Sequence, residues 1–186
     1  MTDGHRMKTA PSLTGRERHF GVDELIVSKT DQTGRITYAN DVFLRVAGYT
    51  EDEVIGRPHN LIRHPDMPRS VFKLLWDTIE SGEEIFAYVV NRTKDGDHYW
   101  VLAHVTPSYG LDGSITGYHS NRRVPDRGAV ETASALYADL RAVEASVDHP
   151  VESINAGVER LVSILTDAGI TYSQWVWSLT TAEVPA

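Results

Sequence analysis

The sequence predicts an α+β chain, with antiparallel strands and short helices followed by a helical extension. Three observations carry that reading: five β-rich runs, glycine-bearing turns between neighbouring runs, and a change to helical periodicity at Ala129. Residues 1–20 are polar and aperiodic, contain Gly and Pro, and read as a flexible arm. Leu25 to Thr30 and Arg35 to Ala39 are strand-like, and Asp31-Gln32-Thr33-Gly34 between them makes a hairpin turn. Asn40 stands where an N-cap belongs, ahead of a short helix carrying Val42, Phe43 and Val46 and ending at Gly48. Thr50-Glu51-Asp52-Glu53 is a capping box, with Glu53 placed to reach back to the Thr50 amide; the helix it opens stops at Gly56. A longer helix is expected from Asp66 to Ser81, with Val71, Phe72, Leu75, Trp76 and Ile79 on one inward stripe. Three strands follow, Ile85 to Arg92, His98 to Tyr109 and Ile115 to Arg122, joined by turns that argue for antiparallel neighbours.

Beyond Ala129, Leu136, Leu140, Val143 and Val147 mark one helix, and Pro150 suits the first turn of the next. Val151, Ile154, Val158, Leu161 and Leu165 form the second seam; Tyr172, Trp175, Val176 and Leu179 belong to a last short helix. Such seams are too short to be stable alone and need each other, the β domain or a second chain. The expected organisation is an arm over 1–20, a mixed strand-and-helix domain over 21–125 and a helical interface or output region over 129–181.

With 186 residues the chain can hold one compact core plus a smaller appendage. Its net charge of −8 argues against a nucleic-acid or anionic-membrane partner. There is no apolar run of roughly 18 residues and no signal-peptide pattern, so the expected location is cytoplasmic. The absence of cysteine removes disulfides, thiolate catalysis and thiolate metal sites.

The segment His59-Asn60-Leu61-Ile62-Arg63-His64-Pro65-Asp66-Met67-Pro68 is the richest in chemistry. Its prolines restrict the residues before them, so a cation, an imidazole and a carboxylate are presented on a stiff loop. Recognition of a polar ligand is one reading. The other is that Asp66 caps the following helix while Arg63 and Asp66 form a surface ion pair.

Several strings add a resemblance. Ile36-Thr37-Tyr38-Ala39-Asn40-Asp41, Gly48-Tyr49-Thr50, the run from Pro58 to Pro68, Asn91-Arg92-Thr93-Lys94-Asp95-Gly96-Asp97-His98-Tyr99-Trp100-Val101 and Gly117-Tyr118 resemble PAS domains of the bacterial aerotaxis-receptor type. Leu25 to Arg123 is the stretch concerned. The resemblance implies a five-stranded antiparallel sheet with helices folded across one face around a cofactor cavity. It implies non-covalently bound FAD, with FMN less favoured, used as a redox or oxygen reporter. Carried over by position, the contacts fall on Arg63, His64, Asp66, Asn91, Phe72, Trp76 and Asn40, with Asn60 and Trp100 as further candidates.

Within that expectation Arg63 would meet phosphate oxygens, His64 would donate to an anion or a carbonyl, and Asp66 would orient one of them. Asn91 offers both donor and acceptor to a ring edge, while Phe72 and Trp76 supply apolar walls. Phe72 and Trp76 also fit as plain core, and Asn40 as a plain N-cap. A chain without cysteine forms no cysteine–flavin adduct, which leaves electron transfer as the route for any response to light. Where the resembling receptors continue into a membrane anchor and a signalling helix, this chain shows 59 residues after Arg127. Its expected output is therefore non-covalent, through a homodimer or a separate signalling protein. Rival readings are a haem gas sensor, for which His98 and His104 share a strand face, and a cofactor-free interaction module. No nucleophile–base pair, phosphate-binding glycine loop or complete metal-ligand set is visible, so neither an enzyme nor a metal site is expected.

Overall fold

The computed structural model describes residues 12–180. Five strands form one antiparallel sheet: β1 (Ile26–Asp31), β2 (Ile36–Ala39), β3 (Ile85–Arg92), β4 (His98–Tyr109) and β5 (Ile115–Arg123). Their order across the sheet is β2-β1-β5-β4-β3, which makes β5 central and β3 an edge. The first hairpin closes because the Asp31 carboxylate accepts from the Thr33 and Arg35 amides at 2.8 and 2.9 Å. Gly34 in that turn has φ +75°, and a Cβ there would stand 2.9 Å from the Trp76 ring.

Helices α1 (Asp41–Ala47), α2 (Glu51–Val54) and α3 (Arg69–Glu80) join a 3-10 turn at His59–Ile62 on one side of the sheet. Asn40 caps α1 by accepting from the Phe43 amide at 3.0 Å, and the Thr50 amide donates to Glu53 at 3.1 Å. The expected start of α3 at Asp66 is corrected. The Met67 amide bonds the His64 carbonyl in a tight turn, and Pro68 precedes the first helical residue. The Arg69 and Ser70 amides are capped instead by Glu144, from far along the chain, at 3.1 and 2.8 Å.

The C-terminal helices α4 (Arg127–Ala145), α5 (Pro150–Asp167) and α6 (Tyr172–Thr180) share the core of the sheet. On α4 the buried positions are Ala129, Val130, Ala133, Tyr137, Leu140 and Glu144, a stripe rotated from the expected seam of Leu136, Leu140, Val143 and Val147. The rotation follows the sheet's outward face, where the Tyr137 hydroxyl donates to the Tyr88 carbonyl at 2.5 Å. Helix α5 runs back along α4, with Arg160 meeting Asp139 and Ser153 meeting Glu144, and packs on α3. Helix α6 returns to β3, where Trp175 meets Tyr88 edge-on and Val176 is fully buried. The apolar C-terminal helix is thus seated on its own sheet.

Residues 12–20 of the expected flexible arm are docked. The Thr14 amide donates to Gly96, His98 to Arg16 and Arg18 to His98, all backbone bonds of 2.7–3.0 Å. The Asp97 carboxylate gathers the Thr14 hydroxyl and the Arg16 and Arg18 guanidinium groups. The rest of the expected arm, 1–11, and position 181 of the helical region lie outside the described residues. No described helix is long and apolar enough to cross a membrane.

Candidate functional site

A cavity of about 220 Å³ lies between the inner sheet face, α3 and the 3-10 turn. Strand alternation builds its sheet wall: Ser28 and Thr30 from β1, Val89 and Asn91 from β3, Ala103 and Val105 from β4, and Tyr118, Ser120 and Arg122 from β5. Helix α3 contributes Phe72, Leu75, Trp76 and Ile79 at helical spacing. Trp76 packs edge-on against Tyr118, ring centroids 5.4 Å apart at 87°.

The Arg63 backbone pairs with Asn91 across the free edge of β3. Arg63 is extended at φ −67° and ψ 126°, so it and His64 point to opposite sides. Its guanidinium lies over the Phe72 ring, 3.6 Å from the centroid. Opposite, the Arg122 guanidinium donates to Ser28 Oγ at 2.9 Å and to His59 Nε2 at 2.8 Å. Burial and the Arg122 charge push the His59 pKa down to about 3, so the ring is neutral and accepts. Four buried side-chain atoms of the lining residues have no partner among the described residues: Arg63 Nε, Asn91 Nδ2, Ser120 Oγ and Arg122 Nη1.

Residues 36–121 match the family described as the PAS fold. Over 136 residues the chain is 40% identical to the aerotaxis receptor of Escherichia coli (strain K12), covering 73% of this chain and 27% of that protein. The chain carries a PAS domain of the aerotaxis-receptor type. A blue-light-activated histidine kinase of Erythrobacter litoralis (strain HTCC2594) is 28% identical over 111 residues, covering 57% of this chain and 31% of the kinase. The chain thus spans less than a third of the length of either relative. A solved light-oxygen-voltage domain structure superposes with a TM-score of 0.51 at 21% identity, over 63% of this chain and 86% of that one. That likeness concerns the fold, and the PAS sheet and helices agree with it.

Of the residues expected at the PAS cofactor site, the fold brings five to the cavity: Arg63, Asn91, Phe72, Trp76 and, at the exposed edge, Asn60. Four are placed elsewhere. His64 and Asp66 line a separate cleft with His98, Trp100, Tyr137 and Arg141, because the step after the extended Arg63 turns His64 away and the tight turn from His64 to Met67 carries Asp66 with it. His64 Nδ1 accepts from the Asp66 amide at 3.1 Å, and burial lowers its pKa against the opposing pull of Asp66. Trp100 sits at an outward position of β4 and stacks on Tyr137, centroids 6.1 Å apart. Asn40 spends its side chain on structure: its oxygen accepts from Phe43 and Val27, and its nitrogen donates to Leu25.

Sequence reading missed His59 as a cavity residue, along with Ser28, Ser120 and Arg122. The signal for the last two was present, since Tyr118, Ser120 and Arg122 recur at period two on the strand ending the PAS sheet. Among the described residues no group of three or more His, Asp or Glu is placed to hold a metal.

Proposed function

We propose that this PAS sensor binds a flavin non-covalently, as FAD, and reports its redox state through α4–α6 to a second copy or a separate signalling protein. The observation that carries the reading is the set of four orphaned polar atoms in one cavity with apolar walls. An unpartnered buried polar group costs about 1–3 kcal/mol, so such a wall suits a ligand that completes it. A flavin ring edge carries carbonyl oxygens and ring nitrogens that match these donors, and its flat faces suit the space beside Trp76 and Phe72. The solved light-oxygen-voltage structure is one described with a flavin analogue. The preference for FAD over FMN rests on the aerotaxis-receptor likeness.

When bound, the flavin would supply the electron-accepting chemistry and the colour. The protein's part is to seat the ring edge with Asn91, to present the Arg63 charge at the free edge of β3, and to keep water out with α3. Output would travel by α3, whose cavity-facing residues share one helix with the Glu144-capped amides. A differential affinity of a few kcal/mol between two docking states of α4–α5 suffices to move their populations.

The haem reading is less well supported. His104 stacks on Phe86 and bonds Glu84 on the outward face, His98 lines the other cleft, and His59 Nε2 already accepts from Arg122. A haem needs an axial ligand that reaches the iron.

The test is the visible spectrum of purified protein, wild type and Arg63→Ala. The expected result is a wild type with paired blue bands that releases FAD on denaturation, and a folded variant with reduced flavin content. A wild type that stays colourless after incubation with FAD, or that shows a Soret band, refutes the reading. A variant with full flavin loading removes Arg63 from the site.

A further inference from the structure

Among the described residues Arg122 is a cation buried without an anion. It stands on the central strand, 4% exposed, and its Nη1 is buried with no hydrogen-bond partner. No carboxylate among the described residues forms an ion pair with it. The groups that face it are neutral: Ser28 on β1, His59 on the 3-10 turn, the Phe43 ring on α1 and Tyr99 on β4. The Tyr99 hydroxyl is itself buried without a partner, and burial raises its pKa, so it stays protonated. Burial pulls Arg122 down to about 10, which leaves it charged at neutral pH. A buried charge with only neutral neighbours is costly to the fold. Ser28 and His59 fix the orientation of the guanidinium through Nη2 and leave Nη1 unused.

We infer that Arg122 is the anion-holding residue of the cavity, with Ser28 and His59 as its positioning residues, and that its ligand is the negatively charged form of the reduced ring. This rests on the flavin reading above. Two electrons from a reductant and one proton from solvent leave the ring with one negative charge, whereas the oxidised ring is neutral. A preset guanidinium therefore binds the reduced form more tightly than the oxidised form and raises the midpoint potential.

The experiment is a reductive titration of the flavin-loaded full chain, wild type beside Arg122→Gln and Arg122→Lys. The Gln variant is expected to lose about tenfold more affinity for reduced than for oxidised flavin, a midpoint lower by about 30 mV for a two-electron couple. The Lys variant keeps the charge and most of the potential. Equal midpoints for wild type and Gln variant overturn the assignment, as does an equal fall in both variants. If the variants do not fold, the wild type alone decides through the pH dependence of its midpoint. Uptake of one proton per two electrons gives about 30 mV per pH unit around neutrality. A two-proton slope, about twice as steep, overturns the assignment. Flavin bound with an unaltered potential sinks only the role of Arg122, while a wild type that takes up no flavin sinks the flavin reading and this inference together.

Discussion

The carboxylate of Glu144, near the end of α4, caps the first turn of α3 by accepting from the Ser70 amide at 2.8 Å and the Ser70 hydroxyl at 2.7 Å. Three residues earlier on α4, Arg141 donates to Asp66 at 2.6 Å, so one helix holds both the proline-bracketed loop and the helix that follows it. Phe72 and Trp76, two and six residues beyond Ser70 on α3, line the cavity. The helical region and the cavity wall are therefore mechanically one unit.

Glu144→Ala should destabilise the protein by about 1–3 kcal/mol, since it strands two amides and a hydroxyl in a buried place. Glu144→Gln, which keeps an acceptor, should cost less. Urea unfolding midpoints measure both, and an unchanged midpoint for the Ala variant would show that the cap contributes nothing.

Gly157→Ala on α5 separates helix propensity from packing. Propensity alone predicts a gain of about 1 kcal/mol in a helix interior. An added Cβ would stand 2.8 Å from Ser70 Oγ and 2.9 Å from Glu144 Cγ, in the cap itself. The expected outcome is net destabilisation of about 1–3 kcal/mol, read from thermal or urea unfolding. A more stable variant would mean that α5 is not seated this closely on α3.

His59 makes stability depend on pH in a definite direction. Its pKa is near 3 in the fold and near 6.5 when unfolded. Between those values the unfolded chain binds a proton that the native chain refuses, so stability falls as pH drops from about 6.5 towards 3. By about pH 5 the loss should approach 2 kcal/mol, at 1.36 kcal/mol per pKa unit. Burial shifts His64 and His119 the same way, so the control is His59→Gln, which should lose less than wild type between neutral pH and about pH 5. Equal losses in the two proteins would remove His59 as the source.

Asp97→Asn should release the docked arm. The carboxylate binds Thr14, Arg16 and Arg18 together, and these bonds, that from Thr14 foremost, hold its pKa below the usual carboxylate range. Trypsin cleavage after Arg16 and Arg18 is expected to quicken in the variant while the sheet domain stays intact. Unchanged cleavage would leave the backbone bonds to Gly96 and His98 as sufficient anchors.

Local chemistry by itself determined the elements of this protein. Turn residues at Asp31–Gly34 and Lys94–Asp97, the cap at Asn40 and period-two runs place β1 to β5 within a residue of where they stand. Short-range hydrogen bonds and side-chain periodicity decide those features, and both are written in consecutive residues. Arg63 and Asn91 line the cavity because each sits in an extended segment whose alternation follows from its pairing. What tertiary structure alone decided is the direction of neighbouring side chains and the partners of distant ones. Alternation across the Arg63 bridge sends His64 to the other cleft, the tight turn that follows takes Asp66 there too, and the outward register of β4 gives Trp100 to Tyr137. The cap on α3 comes from 74 positions away, and Arg122 meets Ser28 across 94. No local pattern encodes such contacts, since they exist only once the sheet and the helical region close on one another.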